Sequence, residues 1–282
     1  MLVIKSIKRM QEVSRRLTKQ GKTIGFVPTM GFLHRGHMSL VEKSLKENDI
    51  TILSIFVNPT QFGPKEDFSK YPRDFKKDYS LSKQNNVDIL FCPSADDMYQ
   101  TKHLVYVGVE EMADCLCGRF RPGHFQGVTT VVAKLLNIVL PRVMYLGQKD
   151  AQQAIILTKM VSDLNFPTKV KTCPTVREND GLAMSSRNVY LNPDERKRAA
   201  ILYKSLRRAK SLIQNGERRA DKILSATRAM IQTQNPTKID YIECRNATTL
   251  GPLSRIKGNV LIAMAVWFSK TRLIDNIIIK TR

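Results

Sequence analysis

Two imidazoles three residues apart, His34 and His37, stand in the run Met30-Gly31-Phe-Leu-His34-Arg-Gly36-His37. At a helix start, such rings add donors to the free backbone N–H groups, and together they favour an anion such as phosphate. Gly31 and Gly36 let that phosphate approach the backbone. The same spacing also suits half of a metal site or a structural cap, but His103 and His124 are remote in sequence and lack ligand-like neighbours, which argues against a metal. In the second block, Asn58-Pro-Thr-Gln61-Phe-Gly63, Gln61 offers a donor and an acceptor, which suits a hydroxy acid. The third, Gly147-Gln148-Lys149-Asp150 with Gln153 one turn later, pairs a compact cation for phosphate oxygens with a carboxylate suited to a helix cap, a ribose or a metal. The fourth runs from Val176 to Met184-Ser185-Ser186-Arg187, whose two hydroxyls and guanidinium suit a triphosphate and the charge that develops on it. A fifth, Cys117-Gly-Arg119-Phe-Arg121-Pro-Gly-His124, is rich in polar groups, and no individual role follows for Arg119, Arg121 or His124.

Most of these blocks follow an apolar run and precede a helical pattern. Strands are expected at Thr23–Val27, with a break at Pro28, and at Ile50–Val57, Val87–Phe91, Leu104–Val109, Arg142–Leu146 and Thr168–Thr172. Between them the periodicity predicts helices from about Gly36 to Leu45, and over Phe75–Gln84, Gly127–Leu140 and Asp150–Leu164. This alternation predicts an α/β fold with a Rossmann-like, doubly wound parallel sheet, whose ligands gather at the carboxyl ends of the strands. After Leu191 the pattern changes. Asn192-Pro193-Asp194-Glu195 is a helix start and Asn215-Gly216 its stop. A second helix, Ala220 to Gln234, precedes strands at Lys238–Arg245, Asn259–Trp267 and Thr271–Ile279. The expected division is therefore a domain over 1–187 and a smaller C-terminal α+β domain over 188–282.

Composition narrows the class. The longest apolar runs, such as Val260–Phe268, fall far short of the roughly 20 residues that span a bilayer, and Met1–Gln20 is rich in Lys and Arg without an apolar centre. The five cysteines are odd in number and follow no zinc-like spacing, so reduced thiols and a cytoplasmic location are expected, with no membrane partner. A formal charge of +21 attracts phosphate-bearing ligands and, non-specifically, nucleic acid. The basic residues do not interleave with aromatics and no RNA motif is recognisable, so no specific nucleic acid partner is expected.

His34-Arg-Gly-His37 resembles the His-x-Gly-His signature of the nucleotidylyltransferases and related tRNA synthetases, and Met184-Ser-Ser-Arg187 looks like an altered form of their basic loop. With Asn58-Pro-Thr-Gln-Phe-Gly63, Cys117–Gly127 and a last block at Thr271-Arg-Leu-Ile-Asp-Asn-Ile277, the five segments from Phe26 to Leu191 resemble the pantoate–β-alanine ligases within that superfamily. Phe32, Met38 and Cys244–Ala247 depart from the family's pattern at positions to which no chemistry is assigned. The resemblance implies condensation of pantoate with β-alanine at the expense of ATP, with Mg²⁺, through a pantoyl adenylate. It further implies an ATP site at Met30, Gly31, His34, His37, Gly147, Gln148, Lys149, Asp150, Val176, Met184, Ser185, Ser186 and Arg187. His37, His34, Lys149 and Arg187 form the catalytic set, with the family's proton-donor assignment on His37. Gln61 and Gln153 line the pantoate pocket, and Gln61 also meets β-alanine. A C-terminal domain that closes over the substrates, and a homodimer, complete what the resemblance implies. The metal's ligands do not follow from it. The alternative is another adenylate-forming or nucleotidyl-transferring enzyme acting on a different carboxylate.

Overall fold

The structure is a computed structural model that describes residues 1–64, 66–99 and 103–281. In chain order its first elements are β1 (Leu2–Ile4), α1 (Ile7–Lys19), β2 (Ile24–Thr29), α2 (Arg35–Glu47), β3 (Ile50–Ile55), α3 (Phe75–Gln84) and β4 (Ile89–Phe91). The short helices α4 (Ala95–Met98) and α5 (Cys117–Phe120) precede α6 (His124–Val139), β5 (Val143–Gly147), α7 (Ala151–Asp163) and β6 (Lys169–Cys173). Then come α8 (Pro193–Ala199), α9 (Ile201–Gln214), α10 (Ala220–Gln232), β7 (Lys238–Asn246), β8 (Asn259–Phe268) and β9 (Thr271–Lys280).

The described chain divides into two compact units. The first comprises 1–110, 121–147 and 156–174, and the second 111–120, 148–155 and 175–282. The first holds a six-stranded parallel sheet in the order β1-β4-β3-β2-β5-β6. The order reverses between β2 and β5, and such a switch opens a crevice at the carboxyl ends of the central strands. Strands buried on both faces read as continuous apolar runs, as β2 and β3 do. Val27, Leu53, Leu90 and Tyr145 are fully buried in one packed cluster with Met38 and Val41 of α2.

Three local differences from the sequence reading have physical causes. β2 runs through Pro28 to Thr29, because its pairing with β5, the side that the Pro28 nitrogen faces, ends at Phe26, while the β3 side continues to Thr29, whose carbonyl accepts from Phe56 N–H at 3.0 Å. The apolar stretch 104–109 is not a strand. Leu104, Val105 and Tyr106 are exposed, and the Val107 backbone is bonded instead by Thr130 Oγ1 (to N–H, 3.0 Å) and Thr129 Oγ1 (to C=O, 2.6 Å) of α6. Alternation marks a residue run as able to pair, and pairing needs a partner edge. β1 and α1 were not expected. β1 pairs with β4 over only three residues, and α1 is anchored by an apolar stripe in which Met10 and Val13 are buried.

The second unit is built on an antiparallel sheet, β7-β8-β9, with β8 in the middle and almost wholly buried. Its core joins Leu202, Leu206 and Ile213 of α9 and Ile223 and Ile231 of α10 to Ile262, Met264 and Val266 of β8. The helix expected from Asn192 to Asn215 is two, α8 and α9, meeting at Ala200. Asn192 and Glu195 form its capping box as the Asn-Pro-Asp-Glu run predicts.

Candidate active site

In the first unit the site begins where β2 ends. Gly31 has φ +81°, and a Cβ there would lie 2.9 Å from both Asp78 Oδ2 and Ile55 Cγ2, so only glycine fits. Phe32 also has a positive φ, +49°, and its backbone N–H donates to Asp78 Oδ2 at 2.8 Å, while Leu33 N–H donates to Oδ1 at 2.7 Å. Asp78, on α3, is buried, and burial raises its pKa, against which these two backbone bonds act. One buried carboxylate thus holds the turn that delivers the histidines.

His34 and His37 then cap α2 reciprocally. His34 Nδ1 accepts from Gly36 N–H at 3.1 Å, and His37 Nδ1 accepts from His34 N–H at 3.3 Å. A nitrogen that accepts carries no proton, so each neutral ring holds its hydrogen on Nε2. The rings lie 4.1 Å apart at the N-terminus of a 13-residue helix, half-buried. The structure thus bears out the cap reading of the sequence, each Nδ1 satisfying a backbone N–H at the helix start.

Gln61 is brought to the same turn, its Nε2 donating to Met30 Sδ at 2.9 Å. Asn58, 1% exposed, is the hub behind it. Its Nδ2 donates to Gln61 Oε1 (3.2 Å) and Gly127 O (3.0 Å), and its Oδ1 accepts from the Tyr99 and Thr60 hydroxyls (2.7 and 2.9 Å). Gly127 must be glycine, since a Cβ would lie 2.4 Å from Thr60 O. Arg121 and His124, for which no role could be assigned, hold the Gln61 backbone. His124 Nδ1 lies 2.8 Å from Gln61 O, and Arg121 Nη1 3.0 Å from His124 Nε2. The same guanidinium clamps Glu66 through Nε and Nη2 at 2.8 and 2.5 Å.

Within the second unit, Gln148–Asp150 form a single 3₁₀ turn, with Lys149 Nζ 3.3 Å from Asp150 Oδ2. Asp150 ends that turn, immediately before α7. Gln152 is buried and structural: its amide bonds Cys117 N–H and the Cys115 and Met112 carbonyls, whereas Gln153 is half-buried. Ser185 caps the 3₁₀ turn Ser186–Tyr190, accepting from Arg187 N–H at 3.3 Å. Upstream, Arg177 and Ala183 form a bridge, and Met184 N–H donates to Val176 O at 3.0 Å, so Val176 and the Met184–Arg187 segment are tied together. Arg119, in the second unit, pairs with Glu243 at 3.2 Å.

All five cysteines are free thiols, and among the described residues no group of three or more His, Cys, Asp or Glu side chains is arranged to hold a metal. No described helix is long and apolar enough to cross a membrane.

Residues 2–278 match the family model described as pantoate-beta-alanine ligase. The chain belongs to that family. A pantothenate synthetase of Caldicellulosiruptor saccharolyticus is 54% identical over 99% of this chain and the whole of that relative, and one of Acetivibrio thermocellus is likewise 54% identical. The crystal structure of the Thermus thermophilus pantothenate synthetase superposes with a TM-score of 0.93 at 41% identity, covering 98% of this chain and 99% of that one. A Francisella tularensis pantoate-beta-alanine ligase, solved in complex with beta-gamma ATP and β-alanine, superposes at 0.83 with 37% identity, covering 98% and 97%. The fold is that of these ligases, and the function that accompanies it is the ATP-dependent formation of pantothenate.

Proposed function

We propose that this ligase works in two steps, with roles for its residues that follow from their chemistry. In the first, the pantoate carboxylate attacks the α-phosphorus of ATP, pyrophosphate leaves, and pantoyl adenylate forms. In the second, the amine of β-alanine attacks the acyl carbon and AMP leaves. The observation that carries the reading is the double imidazole cap, which turns two Nε2–H donors and a helix N-terminus to one purpose. Attack of one anion on another needs donors aimed at the charge that develops on phosphorus. His34 and His37 serve as such donors. Because the cap requires Nδ1 of each ring to be bare, His37 stabilises charge rather than delivering a proton as an imidazolium.

Met30 and Gly31 flank the nucleotide, and Gln148 to Asp150, Val176 and Met184 to Arg187 supply its remaining contacts, with Lys149 and Arg187 as the cations. Gln61 and Gln153 read the pantoate hydroxyls, and Gln61 also meets β-alanine. Mg²⁺, when bound, screens the β- and γ-phosphates. Asp150, its carboxylate 47% exposed beside Lys149, fits a hydrated cation that is carried in largely by phosphate oxygens. An acyl adenylate is already activated, so the second step needs positioning of a neutral amine and exclusion of water, which we assign to residues 188–282. Family membership also supports a homodimer and a cytoplasmic location.

The test is pyrophosphate release from ATP and Mg²⁺ with pantoate alone, then formation of AMP and pantothenate when β-alanine is added. A burst stoichiometric with enzyme, becoming continuous with β-alanine, is expected. Pyrophosphate release that requires β-alanine from the start would overturn the adenylate.

A further inference from the structure

The block Thr271–Ile277 lies at the far end of the chain, and the mechanism above does not use it. Its centre, Asp275–Asn276, lies on β9, where Asp275 pairs with Met264 and Asn276 with Ala263 in an unbroken antiparallel ladder. Both side chains are buried, Asp275 at 2% and Asn276 at 3% exposure. Successive residues of a strand face opposite ways, so one dipeptide serves two partners.

Asn276 spends both amide hydrogens on the 3₁₀ turn that carries Lys149. Its Nδ2 donates to Gln148 O and to Lys149 O, each at 2.9 Å, and its Oδ1 lies 3.4 Å from Gln148 Nε2. Asp275 takes Arg177 in a two-pronged ion pair, Nη1 to Oδ2 at 2.7 Å and Nη2 to Oδ1 at 2.9 Å. Arg177 is fixed further by Gly181 O at 3.0 Å and by the Tyr203 ring, whose centroid lies 3.8 Å from its Cζ. Through the Arg177–Ala183 bridge and the Met184 N–H to Val176 O bond, that anchor sets the segment leading to Met184–Arg187.

We infer that Asp275 and Asn276 are positioning residues for the adenylation step: Asn276 fixes the turn that aims Lys149, and Asp275, through Arg177, fixes the Val176 and Met184–Arg187 segments. The inference rests on the reading of those segments as nucleotide contacts. A backbone turn with two carbonyls held from one rigid strand keeps a flexible lysine stem rooted at one place, and orientation of this kind governs the rate of a positioned reaction.

The experiment compares wild type, Asn276→Ala, Lys149→Ala and the double variant, by steady-state pyrophosphate release and by calorimetric titration with ATP. Melting temperatures are recorded for each. Asn276→Ala is expected to lower kcat/KM for ATP by about 10- to 100-fold, the scale that misplacement of a reacting group by an ångström produces. KM for β-alanine should stay within about twofold. Because Asn276 acts through Lys149, the double variant should resemble Lys149→Ala to within about twofold. Asn276→Asp, which keeps the shape and sets acceptors against two carbonyls, should share the loss. Asp275→Asn should behave in the same way toward Arg187→Ala. Losses that multiply in the double variant, or a lowered melting temperature with unchanged ATP kinetics, would overturn the inference. If wild type releases no pyrophosphate with pantoate alone, the adenylate reading fails, and the ATP titrations of the same four proteins still decide the positioning role: additive losses of affinity refute it, and a non-additive loss upholds it.

Discussion

Asp78→Asn is the substitution that separates the turn from the fold beneath it. The carboxylate takes one backbone N–H on each oxygen, from Phe32 and Leu33, at 2.8 and 2.7 Å. An amide of the same shape offers one acceptor, so one N–H faces an NH₂ group and is left without its bond. Loss of a hydrogen bond to a charged group costs about 1.5–3 kcal/mol, and a buried donor left unsatisfied costs a similar amount. Part of this returns, because burial disfavours the Asp78 carboxylate and raises its pKa, so the neutral amide avoids that penalty. The net destabilisation should be about 1–3 kcal/mol, and at roughly 2–4 °C per kcal/mol in a domain of this size the melting temperature should fall by about 2–12 °C. The freed segment includes Phe32, at a strained φ of +49°, and it leads directly into His34. The kcat/KM for ATP should therefore fall about 10- to 100-fold, more than stability alone explains at 25 °C, where the variant remains folded. Melting is followed by circular dichroism and turnover by pyrophosphate release. A fall in melting temperature with ATP kinetics unchanged would refute the claim that Asp78 sets the histidines.

Gly31→Ala adds a methyl 2.9 Å from Asp78 Oδ2 and Ile55 Cγ2 at a positive φ, and should reproduce the Asp78→Asn kinetics by a different route, read in the same assay. Glu66→Gln weakens the clamp on Arg121, which with His124 holds the Gln61 backbone, so KM for pantoate should rise by about three- to tenfold while KM for ATP stays unchanged, on the scale of one charge-assisted bond. Glu47 is held at about 2 by the Tyr145 hydroxyl first and by Lys171 and Lys43 after it. Its folded pKa is depressed, so its contribution is whole above the ordinary value of 4.5 and is lost as pH falls from there toward 2. The difference in urea midpoint between wild type and Glu47→Gln should be constant from pH 7 to 6 and narrow below 4.5; a gap that widens on acidification would show the sign to be wrong.

Local signals carried the sequence reading well where local physics decides. α3 runs over Phe75–Gln84 as its periodicity predicts, with Asp74 at its cap, and the glycines and histidines of Met30–His37 mark a strand-to-helix turn because those residue types are costly or useless elsewhere. The reading failed where a partner decides. Leu104–Val109 has the composition of a strand, but side chains of α6 take the Val107 backbone, and Pro28 sits inside a strand because the β5 ladder it would interrupt has already ended at Phe26. Of the residues that hold the site, Asp78 contacts its turn from 46 positions away, Asp275 reaches Arg177 across 98, and Asn276 reaches Gln148 across 128. Spacing within a motif is silent about such links. The only trace of the last two was a family-like block at Thr271–Ile277 without chemistry of its own.

The distance between Gln148 and Asn276 also has a meaning in time. At the usual 5–20 residues per second of synthesis, the ribosome needs roughly 6–26 s to add the 128 residues that separate the lysine turn from the strand that holds it. During that interval the nascent chain already carries both histidines, both glutamines and the lysine. The parallel sheet of the first unit can form, yet the turn at Gln148–Asp150 has nothing to fasten its carbonyls. A chain arrested between Arg187 and β9 would thus hold every side chain of the proposed site and lack the strand that fastens the lysine turn, so that turn is fixed late and abruptly in the birth of the molecule.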